Sequence, residues 1–286
     1  MKTSIILVFL VISAMCLILD PDSALAQSVL LEPNNDAAIH LEALRPSVSD
    51  TDFSNTTFAF YLSGRVGLGD NLFLRAEVPF MNYKEEPATY YNPYGDYYYS
   101  SSKEGSQFGN PYLGLDVGNA HNGFQGEFGV RIPVVSNYSA VVGAGAATDY
   151  IERIEAFLPD LMPIYAGVNY RLKTDNGFGL RLRMVPVFWL WVGDRSNRDP
   201  DLYAMYSAQA WYEDKKVGVG GGITGRIIGT GDADGFDDRS LHQFGFFANY
   251  TFGSVMPGFQ IRFPLDDNVR AAGINPTYSI SFGVKL

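Results

Sequence analysis

Thiol chemistry has almost no footing in this 286-residue chain: its single cysteine, Cys16, lies inside an apolar N-terminal run that reads as removable. Without it there is no disulfide, no thiolate nucleophile and no cysteine-held metal. Histidine is nearly as scarce, with three residues, His40, His121 and His242, so the usual proton shuttle of hydrolytic sites has few possible positions. Basic residues are in the minority, 21 Lys and Arg against 31 Asp and Glu, which argues against nucleic acid as a partner because that requires basic patches. Past residue 26 no apolar stretch approaches the ~20 residues of a membrane-crossing helix. Any crossing of a bilayer must therefore use strands.

What is present begins with a secretory signal at 1–26: Lys2, an apolar run from Ile5 to Leu19, and Ala24-Leu25-Ala26 as the expected cleavage site. A lipid-anchored reading through Cys16 is disfavoured, since Cys16 sits within the apolar run and follows the bulky Met15. Residues 27–36 form a polar lead-in containing Pro33. From 37 to 286 the composition does not break, which predicts one large all-β unit.

Period-2 alternation carries the rest. In the last stretch Tyr278, Ile280, Phe282, Val284 and Leu286 share one face, and Ser279, Ser281, Gly283 and Lys285 the other. The same division recurs upstream, with Phe58, Phe60, Leu62 and Val66 against Tyr61, Ser63 and Arg65, and with Leu180, Leu182 and Met184 against Arg181 and Arg183. Nearly every strand has one greasy and one polar or small face, so no second apolar layer is left to form a core. A closed barrel with lipid outside and a polar lumen suits all of them. Connections alternate long and short almost throughout, including a long polar one at 84–107, another at 136–160, and a turn at 253–258 before a short strand at 259–265. An up-and-down barrel with both termini on one side produces that alternation. The expected fold is all-β, a transmembrane antiparallel barrel of about 12 strands with short turns at one end and long loops at the other.

The pattern resembles the Gram-negative outer-membrane β-barrels, whose terminal strand commonly alternates in this way and ends in an aromatic residue; here the last residue is Leu286. The resemblance implies an outer-membrane location, lipid around the wall, and insertion by the barrel-assembly machinery through the C-terminal strand. Gly109-Asn110-Pro111-Tyr112-Leu113-Gly114-Leu115 and Phe128-Gly129-Val130-Arg131-Ile132-Pro133 are also similar to strands of a transporter family linked with aromatic-compound degradation.

The lumen follows from the alternation. Arg65, Arg75, Arg131, Arg171, Arg181, Arg183, Arg226, Arg262 and Lys285 fall on the inward face with Glu42, Glu77, Asp116 and Glu127. Facing hydrocarbon would cost each cation roughly 2–4 kcal/mol at mid-bilayer. The wall is thus net basic in an acidic chain. One reading is a wet path favouring small anionic or polar solutes; the other is a closed interior knit by ion pairs such as Arg65 or Arg75 with Glu77. The small inward residues Gly218, Gly220, Gly222, Ser279, Ser281 and Gly283 are expected to leave room.

The loops add candidates. Asp149 and Glu152 have the spacing of a helix cap, and Ile151, Ile154, Phe157 and Leu158 then share a helical face up to Pro159. A short helix there, carrying Asp149, Glu152 and Glu155, would either constrict the mouth or sit on the rim. Asp232, Asp234 and Asp237 surround Gly235 as oxygen ligands for calcium would, without the full calcium-loop spacing; otherwise no cofactor is expected. Tyr90, Tyr91, Tyr94, Tyr97, Tyr98 and Tyr99 crowd one outer loop and could stack on sugars or on one another. Trp189 and Trp191 on the outer side, with Trp211, Tyr212, Tyr250 and Phe252 on the inner, fit aromatic girdles, although Trp189 and Trp211 carry lumen-facing parity. Enzymatic chemistry would need His242, which follows Ser240 near the outer rim, but no third group is indicated. The expected function is a channel or facilitated transporter for small polar or anionic solutes; the alternative is a nonconducting structural or surface-binding barrel.

Overall fold

The structure, a computed structural model, describes residues 38–48, 55–85, 89–91, 97–99, 103–119, 122–230, 239–271 and 273–286. The expected signal, the lead-in, the acidic cluster Asp232, Asp234 and Asp237, and His121 lie outside them.

Twelve wall strands close into an antiparallel barrel. β1 (Ala38–Val48), β2 (Asn55–Gly69) and β3 (Leu72–Glu85) are followed by a short ribbon, β4 (Thr89–Tyr91) with β5 (Tyr97–Tyr99). The next wall strand comes in two pieces, β6 (Lys103–Phe108) and β7 (Tyr112–Gly118), both paired with β3. Then come β8 (Gly123–Arg131), β9 (Leu161–Lys173), β10 (Phe178–Trp191), β11 (Asp201–Glu213), β12 (Val217–Ile228), β13 (Ser240–Tyr250), β14 (Val255–Pro264) and β15 (Ile274–Lys285). β15 pairs back onto β1, with Leu41 opposite Phe282, which closes the ring; β6, paired only with β3, keeps one edge at the outer rim.

Three expectations about connections are corrected. The connection read at 84–107 is shorter, because β3 runs on to Glu85 and β6 starts at Lys103; polar side chains at the outer rim hid the strand signal. The turn read at 253–258 closes by 254, and β14 begins at Val255. The helix read over 149–158 does not form. Helix α1 instead spans Ala140–Thr148, capped by Ser139, whose side chain accepts from the Val142 amide. Asp149 does accept from the Glu152 amide (3.4 Å), but only a single 3-10 turn, Ile154–Ala156, follows.

The alternation holds all around the wall. Phe124, Phe128, Val168, Met184, Phe246 and Ile280 are exposed on the outside, while the inward arginines of the wall are buried, Arg183 partly so. A continuous apolar band of this kind would be intolerable in water. Tight turns at one end use glycines with positive φ, such as Gly177 (87°) and Gly253 (61°), where a side chain would be strained.

Candidate functional site

The loop between β8 and β9 folds into the barrel rather than over its rim. Three apolar contacts seat it. Ala146 of α1, Ala156 and Phe157 meet Leu44, Ala59, Tyr61 and Met81 from β1, β2 and β3; Ile154 and Leu158 pack on Leu161, Tyr165, Val185, Val187, Trp189 and Met205; Tyr150 and Ile151 lie against Val269 and Leu241. Gly145 makes the first contact possible, since a Cβ there would sit 2.6 Å from the Phe157 ring. These residues are small or apolar on all sides of α1, which is why the helix has no amphipathic signature in the sequence.

Polar groups then lock the loop. Arg153 lies under the Tyr61 ring, 3.6 Å from its centroid, and reaches Glu42 (2.7 Å), Glu77 (3.4 Å) and, four residues back, Asp149 (2.6 Å). Asp149 also meets Arg262 at 3.0 Å. Glu155 faces Arg226 through both carboxylate oxygens (2.5 and 3.0 Å) and accepts from the Trp189 indole (2.9 Å). Arg226 also donates to the Ile151 carbonyl (2.8 Å). Asn110, in the gap between β6 and β7, donates to the carbonyls of Glu155 (2.9 Å) and Leu158 (2.7 Å) and accepts from the amides of Val134 and Val135.

Burial and neighbours set the state of the loop's own acids. Burial alone would raise the Asp149 carboxyl, but Arg262 and Arg153 outweigh it and hold the group well below its usual range. For Glu152 burial wins over Arg262, and with Asp149 adding to it the carboxyl is pushed up to about 8. The two acids are three residues apart and respond oppositely because guanidiniums contact only the first.

Below the loop the interior divides. On the β2–β10 side, Asp116 meets Arg65 (3.0 Å) and Arg75 (3.4 Å), and Glu127 meets Arg183 (2.7 Å) and Arg181 (3.3 Å). Arg181 continues to Asn169 (2.9 Å), which donates to Gln125 (3.2 Å). The expected pairing of Arg65 or Arg75 with Glu77 is corrected: Glu77 is taken by Arg131 (2.7 Å) and Arg153. In register Arg65 lies directly opposite Arg75, and the carboxylate that separates them comes from the next strand. Arg171 is buried on this side, and Lys285 is half-buried at the end with the short turns. On the β11–β14 side, below Arg226, the inward groups include Ser207, Gln209, Thr224, Gln243 and Gln260, with the cation of Arg262 among them.

The inward glycines do not leave the expected room. A Cβ on Gly220 would lie 2.6 Å from both Trp211 and Phe247, whose side chains cover it. Ser279 is likewise used, donating to Glu42 at 2.8 Å. Trp189 and Trp211 point inward as their parity requires and are not girdle residues; Trp191, inward near the outer rim, donates to Asp201 (3.2 Å). Tyr212, Tyr250 and Phe252 are exposed at the turn end. His40 is buried in the wall, and His242 pairs with Asp266 at 3.0 Å. Among the described residues no three His, Cys, Asp or Glu side chains are grouped to hold a metal. Arg153 and Asn110 escaped the sequence as site residues, Arg153 because loop charges have no parity to read.

No protein-family model matches the chain, and no curated protein matches it. Solved structures do. An outer membrane channel from Pseudomonas putida F1 superposes with a TM-score of 0.55 at 15% identity, covering 94% of this chain and 100% of that one. The NanC porin superposes at 0.52 with 9% identity, covering 87% and 100%. This chain has the fold of an outer-membrane β-barrel. Its apolar band and sealed sheet are what that fold requires of a wall facing lipid.

Proposed function

We propose that this barrel is an outer-membrane channel for small polar solutes, anions favoured, and that the inward loop holds it shut. One observation carries the reading: the loop is an acidic insert in a basic tube. The described wall turns eight guanidiniums inward, Arg65, Arg75, Arg131, Arg171, Arg181, Arg183, Arg226 and Arg262, against Glu42, Glu77, Asp116 and Glu127. The loop contributes Asp149, Glu152 and Glu155 with one cation, Arg153. Docked, it offsets part of the wall's excess positive charge, chiefly through Asp149 and Glu155; withdrawn, it exposes a more basic lumen that focuses anions in a low-dielectric wall. The resemblance in fold to a channel and a porin agrees with this reading. No catalytic step belongs to it, and β15 is the strand that the assembly machinery would engage.

The tests are planar-bilayer recording and liposome swelling with charged and neutral solutes. Replacing residues 139–158 by a short Gly/Ser linker should give a steady, anion-preferring conductance. Arg153→Ala, which takes a guanidinium from three buried carboxylates, should give frequent openings, since breaking such buried pairs costs about 3–5 kcal/mol. Silence from both variants, with heat-modifiable migration showing intact barrels, would overturn the channel. It would favour the nonconducting barrel, for which the dense burial of the inward arginines already speaks.

A further inference from the structure

The neutral side of the interior contains a set of polar atoms that the fold itself does not use. Ser207, Thr224 and Gln243 stand side by side in register on β11, β12 and β13, all inward. One inward step below come Gln209, Gly222, Gly245 and Arg262; one step further come Trp211, Gly220, Phe247 and Gln260. One step above, Arg226 ties the Ile151 carbonyl to the wall, so the loop's Glu152 follows a residue anchored over Thr224. The register thus stacks a roof of loop, two rows of hydroxyl, amide and glycine, and an aromatic floor.

Ser207 Oγ, Thr224 Oγ1 and the Nε2 atoms of Gln209, Gln243 and Gln260 are buried and lack a hydrogen-bond partner, as does Glu152 Oε2. Each parent residue is at most 8% exposed. The Gln260 amide cannot be satisfied by flipping, because its oxygen already accepts from Arg262 at 3.3 Å. Buried donors left open are costly and are normally met by water or a ligand. Here several converge from adjacent strands, and the fixed charge in their rows, Arg262, is held by Glu42 and Asp149.

We propose that the Ser207–Thr224–Gln243 row, with Gln209 and Gln260 below it, is a solute-binding chamber for small neutral polyhydroxylated molecules, polyols or monosaccharides. Hydroxyls accept from the amide N–H groups and donate to Glu152 or to the serine and threonine oxygens, which a carboxylate cannot do. The Trp211 and Phe247 rings below provide the apolar floor that suits a sugar's C–H face. The inference rests on the channel reading for how the solute arrives, but the chamber can be measured without transport.

The full chain in detergent is titrated with D-glucose, ribitol and, as the charged control, acetate, reading tryptophan fluorescence and calorimetric heat. Saturable binding of glucose or ribitol, with acetate ineffective, is expected. Thr224→Val and Gln243→Leu should each weaken it about five- to tenfold, the scale of one lost hydrogen bond. Ser63→Ala, inward on β2 across the barrel, should leave it unchanged. No saturable polyol binding, or binding indifferent to both chamber variants, overturns the proposal and leaves the row as a set of water sites. Conductance with no polyol binding sinks the chamber alone; polyol binding by a barrel that remains silent with its loop removed sinks the channel alone.

Discussion

The two sides of the barrel interior solve one problem differently. From β2 to β10 charged groups point inward and neutralise one another, Asp116 between Arg65 and Arg75, Glu127 against Arg181 and Arg183. From β11 to β14 the two inward cations, Arg226 and Arg262, are held by the loop and by Glu42, and the other inward polar groups are mostly amides and hydroxyls, several of whose atoms have no partner. An uncompensated buried charge costs several kcal/mol, so a charged wall must close on itself. A neutral donor costs less to leave open, so a neutral wall can wait for a guest. Side-chain choice alone divides a uniform fold into a brace and a receptacle.

Disturbing the brace should have the largest effect. Asp116→Asn leaves the guanidiniums of Arg65 and Arg75 without their shared carboxylate, and is expected to destabilise the barrel by about 3–5 kcal/mol, read as a lower urea midpoint for unfolding. A much smaller loss would mean that the charged side is already hydrated and that the contrast is false.

Glu152, in the loop that closes over both sides, should give an intermediate effect that depends on pH. Its ordinary value is 4.5 and the docked value about 8, so the docked loop favours the protonated form. Docking is then strongest below about pH 4.5 and weakens as the pH rises through about 8. Open probability should climb across that window, and Glu152→Gln should flatten the curve at its shut end. A rise towards acid would contradict the assignment.

The smallest effect belongs to the neutral side. Ser207→Ala removes an unpartnered hydroxyl and should change stability by less than about 1 kcal/mol in the same unfolding assay. A loss comparable to that of Asp116→Asn would erase the distinction between the two walls.

The alternation made the wall legible: which side chains face lipid, which face inward, and how many strands there are. Even Trp189 and Trp211, which conflicted with an aromatic girdle, followed parity into the interior. Register was not legible, because it is set by pairing between strands, and so Glu77 was matched to the wrong arginines. The loop was the least readable. Its apolar run at 151–158 imitates a helical face, yet Ile151 and Phe157 point to separate patches of the mouth, Ile154 bridges the Phe157 patch to a third, and the real helix is a run of small residues. Its exposed positions, Ala140, Gly143 and Ala147, are as small and apolar as its buried ones, so it has no polar face to announce it.

The break at 109–111 ties stopper and container together. The Gly109 amide binds the Pro79 carbonyl of β3 and the Asn110 amide binds the Ala156 carbonyl of the loop, so neighbouring peptides of one stave serve two masters. Extracting the loop must also unfasten the middle of a structural stave. The rim above it, β6 included, therefore belongs mechanically to the stopper, and unsealing this vessel is an event of its upper rim rather than of a lone flap.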